Sequence, residues 1–245
     1  MATLAAYIDD LVIANRILAT EGVVDAFGHI SVRHPEHPDR YFLSRARPPQ
    51  CVEHDDIMEF AIDGTPIDPR GRTSYFERFI HGALYQARWE AMSVVHSHSQ
   101  AVIPFGVMGE KIRPLMQNCA VIGREVPIWD SRTRFGDTDL MVTNMEMALD
   151  LARTVGKNPT ALMRGHGSVA VAGSVRRAVF NAIKLQESAN FQRAISGHAN
   201  VVYLSDGEIE KYLQLNSDDK PLGGLDRAWE FWCYRAGMRF KPLAL

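Results

Sequence analysis

The sequence predicts a single α/β domain, with a central sheet and helices on its faces. Three observations predict it. Short strand-like runs interleave with longer amphipathic runs along the whole chain. No repeat, low-complexity tract or linker interrupts them. A length of 245 residues with 46% apolar content suits one fairly large domain with a sizeable core. We therefore expect one domain over 1–245, with 206–245 as a C-terminal helical extension.

The elements follow in order. Leu4, Ile8, Leu11, Val12 and Leu18 recur at helical spacing, and Gly22 ends that helix. Residues 28–33 alternate like a strand. Pro35 and Pro38 mark a turn, and residues 40–44 read as its hairpin partner. Residues 57–60 and a short segment near 66–67 read as strands joined at Asp63-Gly64. Residues 75–88 form the clearest central helix, with Ser74 as cap and Phe79, Ile80 and Leu84 as its apolar stripe. The apolar run ending in Val94-Val95-His96-Ser97-His98 is a strand. A helix over 138–155 is expected after Asp137 or Thr138. Residues 160–163 and 168–171 read as strands around the turn Arg164-Gly165-His166-Gly167. Ser174 caps a long helix to about Gln192, and 201–204 reads as a further short strand. A helix-like tail starts near Asp206.

A formal net charge of −2 and scattered arginines predict no broad basic surface, which argues against a nucleic-acid partner. Cys51, Cys119 and Cys233 are odd in number and form no CxxC pair, so a reducing compartment is expected. No run of 18 or more apolar residues is present, which argues against a membrane span. The start Met1-Ala2-Thr3-Leu4 lacks the basic leader of a secretory peptide. These features together predict a cytoplasmic enzyme.

The chemistry concentrates in four residues. Side chains i and i+2 of a strand point the same way, so His96 and His98 can clamp a divalent cation from one stiff backbone. Glu77 and His166 could converge on them. Three imidazoles and a carboxylate suit Zn²⁺, Mn²⁺, Co²⁺ or Fe²⁺ better than an all-oxygen calcium site. Each residue has a plainer role to set beside this one. His96 and His98 could be ordinary polar residues at a strand end, and Gly165-His166-Gly167 could serve only tight backbone geometry. Ser74-Tyr75-Phe76-Glu77 has the form of a capping box, with Glu77 reaching back to a backbone N–H. Capping and catalysis are both open for Glu77. His81 lies one helical turn after Glu77, as its partner or as a core histidine.

Glu77, His96-Ser97-His98 and His166 resemble the metal site of the class II aldolase/adducin-like superfamily. Gly28-His29-Ile30-Ser31 resembles that family's Gly-Asn-x-Ser strand. The resemblance runs from about residue 8 to 200. It implies a central, mostly antiparallel nine-stranded sheet flanked by helices, and a homotetramer with active sites at subunit boundaries. It also implies one divalent metal ion per subunit, Mn²⁺ or Zn²⁺ with Co²⁺ or Fe²⁺ as alternatives. His96, His98, His166 and Glu77 would hold the ion, and Glu77 could leave it to move protons.

The departures point to the substrate. The paired serines that precede the glutamate in the family's sugar-phosphate aldolases are Tyr75-Phe76 here, and their Thr-Gly segment is Ser44-Arg45. Two rings cannot present the donors that a phosphate needs. Residues 42–47, 99–106 and 163–167 resemble a decarboxylase-like branch acting on hydroxylated aromatic or pyridine dicarboxylates. The expected activity is therefore non-oxidative, divalent-metal-dependent decarboxylation of such a carboxylate. Glu77 is the proton carrier and His29 a second catalytic candidate. Arg45 and Arg47 could clamp a second carboxylate, although arginines before Pro48-Pro49 are often surface groups. Ser44, Tyr75 and Phe76 are further substrate contacts, and core filling is an equal alternative for the two rings. The run Trp229 to Arg235 could pack on the body or at a subunit interface, or offer Tyr234 or Arg235 to a neighbouring subunit's site. Two rival activities remain: aldol cleavage of a non-phosphorylated 2-oxo or 2-hydroxy acid, and a non-catalytic adducin-like binding module.

Overall fold

The computed structural model describes residues 3–216 and 224–240. Met1 and Ala2, and residues 217–223 and 241–245 of the expected helical extension, lie outside the described residues. Within them the chain forms α1 (Leu4–Thr20), β1 (His29–Arg33), β2 (Arg40–Ser44), β3 (Ile57–Ala61), α2 (Phe79–Ala87) and β4 (Ser93–Ser97). It continues through α3 (Ile103–Met108), β5 (Ile128–Trp129), α4 (Arg132–Phe135), α5 (Met145–Val155), β6 (Thr160–Met163) and β7 (Gly167–Ala172). Helices α6 (Val175–Ala194), α7 (Asp206–Leu215) and α8 (Leu225–Arg235) complete it.

The strands form one sheet in the order β3-β2-β1-β4-β7-β6-β5. Every neighbouring pair is antiparallel except β5 and β6, which are parallel. Among the described residues the sheet thus has seven strands, which corrects the expected nine. The segment near 66–67 contributes only an isolated bridge from Pro66 to Phe60. Residues 201–204 run as irregular chain, with Leu204 N–H donating to the Pro114 carbonyl instead of to a strand.

The sheet separates two apolar layers, and strand alternation decides what enters each. Ile30 and Val32 of β1, Val95 of β4 and Ala170 and Ala172 of β7 face the layer built with α1, α6 and α8. Val94, Val169 and Val171 face the layer built with α2 and α5. His96 is two residues beyond Val94, so it points to the α2 and α5 side. The pairing His29↔His96 and His96↔Val169 places it in the middle of the sheet.

The capping box at Ser74 is not formed. A 3-10 turn over Phe76–Arg78 precedes α2, and Tyr75 stands at its N-cap without a side-chain cap bond. Glu77 breaks the helical geometry at φ −89° and ψ 15°. The helix expected over 138–155 starts only at Met145, where Asn144 accepts from Met147 N–H. Residues 138–143 are loop. No helix among the described residues is long and apolar enough to cross a membrane.

Candidate metal centre

Three elements deliver four donors to one point. The turn before α2 supplies Glu77, the end of β4 supplies His96 and, just beyond the strand, His98, and the β6–β7 turn supplies His166. Their ligand atoms all lie within 4.8 Å of one another. His98 Nε2 is 3.1 Å from His96 Nε2 and 3.1 Å from His166 Nε2. Glu77 Oε2 is 3.3 Å from Nε2 of both His96 and His166. Metal–nitrogen bonds of about 2.0–2.1 Å set tetrahedral donor–donor edges near 3.3 Å, so this spacing suits a small divalent ion.

The outer hydrogen bonds decide which ring nitrogens carry protons. His96 Nδ1 meets the Ser168 carbonyl at 3.2 Å, and His166 Nδ1 meets the Leu140 carbonyl at 2.8 Å. A carbonyl only accepts, so both Nδ1 atoms carry a proton, and in the neutral rings both Nε2 atoms present lone pairs. His98 Nδ1 faces the Asp25 carboxylate at 3.2 Å, which fixes the same tautomer. Three lone pairs and an anionic oxygen aimed at one another repel, and a cation between them removes that repulsion. The donor set therefore fits a divalent metal.

Glu77 is held by its second oxygen, because Oε1 accepts from Val142 N–H at 2.9 Å. Burial pushes its carboxyl up, but His96 and His166, when protonated and donating to it, outweigh burial and hold it well below the usual carboxylate range; a cation between the neutral rings would act in the same direction. Burial and the neighbouring His96 and His166 keep His98 below the usual imidazole range.

The cluster opens into a cleft of about 630 Å³ whose walls include Phe27, Arg47, Pro48, Tyr75, Phe76 and Met141. Most of that lining is apolar, so the cleft favours an apolar body with a polar end at the donors.

The other expected site residues are placed as follows. His29 is 1% exposed and lies behind this wall, its ring 4.5 Å from Tyr75 and 5.1 Å from His96. Its Nδ1 meets His81 Nε2 at 2.7 Å, and His81 Nδ1 meets Ser31 Oγ at 2.6 Å. His81 is thus a buried partner of His29. Burial and the His96 ring lower its basicity to about pKa 3. Ser44 is buried against Tyr75 Oη, which also donates to the Arg47 carbonyl. Arg45 and Arg47 both meet the buried carboxylate of Asp56, each at 2.5 Å. Arg47 lines the cleft and Arg45 does not. Tyr234, on α8, is 84% exposed and outside the cleft walls.

Sequence reasoning missed the partners that orient the histidines. Asp25, the carbonyls of Leu140 and Ser168, and Val142 N–H come from distant loops and strands, and no local spacing announces them. Leu140 carries one signal in the structure, a left-handed backbone at φ 68°.

A family model, the Class II Aldolase and Adducin N-terminal domain, matches residues 9–193. The chain is 32% identical over 240 residues to the decarboxylase tropJ of Talaromyces stipitatus, covering 88% of each chain. It is 29% identical over 197 residues to the 3,4-dihydroxyphthalate decarboxylase of a Terrabacter species, covering 75% of this chain and 78% of that one. Its fold is similar to that of L-fuculose 1-phosphate aldolase from Glaciozyma antarctica, with a TM-score of 0.79 at 21% identity, covering 99% of this chain and 96% of that one.

Proposed function

The chain belongs to the class II aldolase and adducin family, and from that premise we propose a divalent-metal-dependent, non-oxidative decarboxylase of a hydroxylated aromatic or pyridine carboxylate. The observation that carries the reading is the convergence of three imidazole lone pairs and the Glu77 oxygen at the end of an apolar cleft. Relatives named as decarboxylases, three of them for 3,4-dihydroxyphthalate, support the reaction class and the aromatic substrate.

His96, His98, His166 and Glu77 would hold the ion, Mn²⁺ or Zn²⁺, which supplies Lewis acidity toward the substrate oxygens. The rest follows from this chain's own groups. Breaking the bond between ring and carboxylate leaves an electron pair on carbon, which must be accepted elsewhere. A hydroxyl ortho to the carboxylate offers that sink. Glu77 takes the hydroxyl proton and delivers it to the ring carbon bearing the carboxylate, giving the keto form. The carbon–carbon bond then breaks, CO₂ leaves, and its electron pair restores the aromatic ring as a phenolate. The proton on carbon stays, and solvent returns one to oxygen. Glu77 suits this task because Val142 N–H anchors one oxygen while the other faces the donors. The apolar walls exclude water while charge moves.

Arg47 on the cleft wall is the candidate contact for a second carboxylate, with Ser44, Tyr75 and Phe76 around it. On the same reading the enzyme is a cytoplasmic homotetramer with its sites at subunit boundaries. The test is CO₂ release from a panel of ortho-hydroxy aromatic dicarboxylates by protein of measured metal content. Release that chelation abolishes, added Mn²⁺ or Zn²⁺ restores, and His96→Ala lacks is the expected result. Bound metal without CO₂ release would overturn the reading.

A further inference from the structure

Two large apolar side chains stand in solvent beside the donors. Phe27 is 69% exposed and Phe76 is 70% exposed, and both line the cleft that holds Glu77, His98 and His166. Single exposed aromatics are ordinary on a protein surface. Two of them on the walls of one apolar cavity, with a cluster of lone pairs at its end, form a binding arrangement.

Each ring is tied to the donors through the backbone. Phe76 immediately precedes Glu77 in the 3-10 turn. Phe27 N–H donates to Asp25 Oδ1 at 2.9 Å, and the same carboxylate meets His98 Nδ1. The two rings are therefore placed relative to the donor cluster by short, hydrogen-bonded pieces of chain. The same cleft is bordered by Thr73, Ser74 and Tyr75, but its lining is mostly apolar and includes Ala26, Ala46 and Met141, whose side chains offer no hydrogen-bond donor to a sugar hydroxyl. A polyhydroxylated chain pressed against that lining would lose water contacts without replacement, whereas a flat ring would lose nothing polar.

We propose that Phe27 and Phe76 pack against a planar aromatic ring seated in the cleft and thereby set the substrate class of the site. Ring acids are held; acyclic acids with the same chelating oxygens are held only by those oxygens. The proposal rests on the carboxylate-binding reading of the donor cluster given above.

Calorimetric titration of the Mn²⁺-loaded protein with salicylate and with 3-hydroxypropanoate tests it. Both acids carry a hydroxyl on the carbon beta to the carboxyl group, and only salicylate carries a ring. Phe27→Ala and Phe76→Ala should each weaken salicylate binding by about tenfold and leave 3-hydroxypropanoate binding unchanged. Phe27→Tyr and Phe76→Tyr should keep the affinity for salicylate. Equal losses for both acids, or no loss for salicylate, would overturn the proposal. So would a fall in particle mass by light scattering in either alanine variant, which would assign the rings to an interface between copies of the chain. The affinities do not depend on turnover. Selective loss of salicylate binding in a protein that releases no CO₂ sinks the decarboxylase reading and keeps the aromatic contact. Unweakened binding in alanine variants that still release CO₂ does the reverse.

Discussion

A single carboxylate, Asp25, does two jobs at the metal centre. It meets His98 Nδ1 and caps the N–H groups of Phe27 and Gly28. Removing such an orienting partner costs about 10–100-fold in metal affinity. Asp25→Ala should therefore shift the metal-binding midpoint by that factor in competition with a chelator. His96, His98 and His166 were legible in the sequence because strand alternation and a tight turn are local facts. Asp25 was not, because its meeting with His98 depends on how a loop returns to the sheet. The residue scale also separates stability from binding at Asp56. Burial raises its carboxyl, but hydrogen bonds from Arg45, from Glu53 N–H and from Arg47 outweigh burial and hold it below the usual range. A folded pKa below the unfolded one gives stability that is complete above the ordinary carboxylate range, near pH 4. It is lost as pH falls through the lower folded value. Asp56→Asn should lower the melting temperature at pH 7 and show a smaller further fall than the parent in acid.

At the scale of elements, the β6–β7 turn joins the sheet through Gly167. A Cβ there would lie 2.0 Å from the Ser97 carbonyl oxygen, far inside contact distance and against backbone. Gly167→Ala must push β7 away from the end of β4, and with it His166 away from His96 and His98. We expect a loss of about 1–3 kcal/mol, a melting temperature lower by about 2–12 °C, and weakened metal binding in the same variant. A melting curve and metal content equal to the parent's would refute the packing argument. Helix α1 was legible from its periodicity and the stop at Gly22, and α6 from its apolar residues and the Ser174 cap. The stretch 138–143 was not, since Asp137 and Thr138 read as a helix cap although the true cap is Asn144. The backbone of that stretch is committed to Glu77 and His166 instead, through Val142 N–H and the Leu140 carbonyl. Likewise the segment near 66–67 meets β3 only at the Pro66–Phe60 bridge, where proline has no N–H to extend the ladder, and 201–204 pairs with no strand among the described residues.

At the scale of the molecule, α8 is bound to the body at its buried side. Trp229 is buried beneath the Arg176 guanidinium, 5.3 Å from its ring centroid, and Arg176 pairs with Asp10 of α1 and Asp226 of α8, each at 2.9 Å. Trp229→Ala should cost about 3–5 kcal/mol. If the chain folds as one unit, urea unfolding of the variant should stay a single transition at a lower midpoint. A second, early transition would show that α8 melts on its own. The donors themselves come from a turn before α2, the end of β4 and the β6–β7 turn, so their meeting depends on strand register. A slip of β4 by one residue would turn His96 to the opposite face of the sheet. A chain still emerging, or paired one step out of place, offers at most an isolated His-x-His that lets an ion go. Metal content measured on the purified chain would thus report the fraction of copies in which the middle of the sheet has closed in its correct alignment.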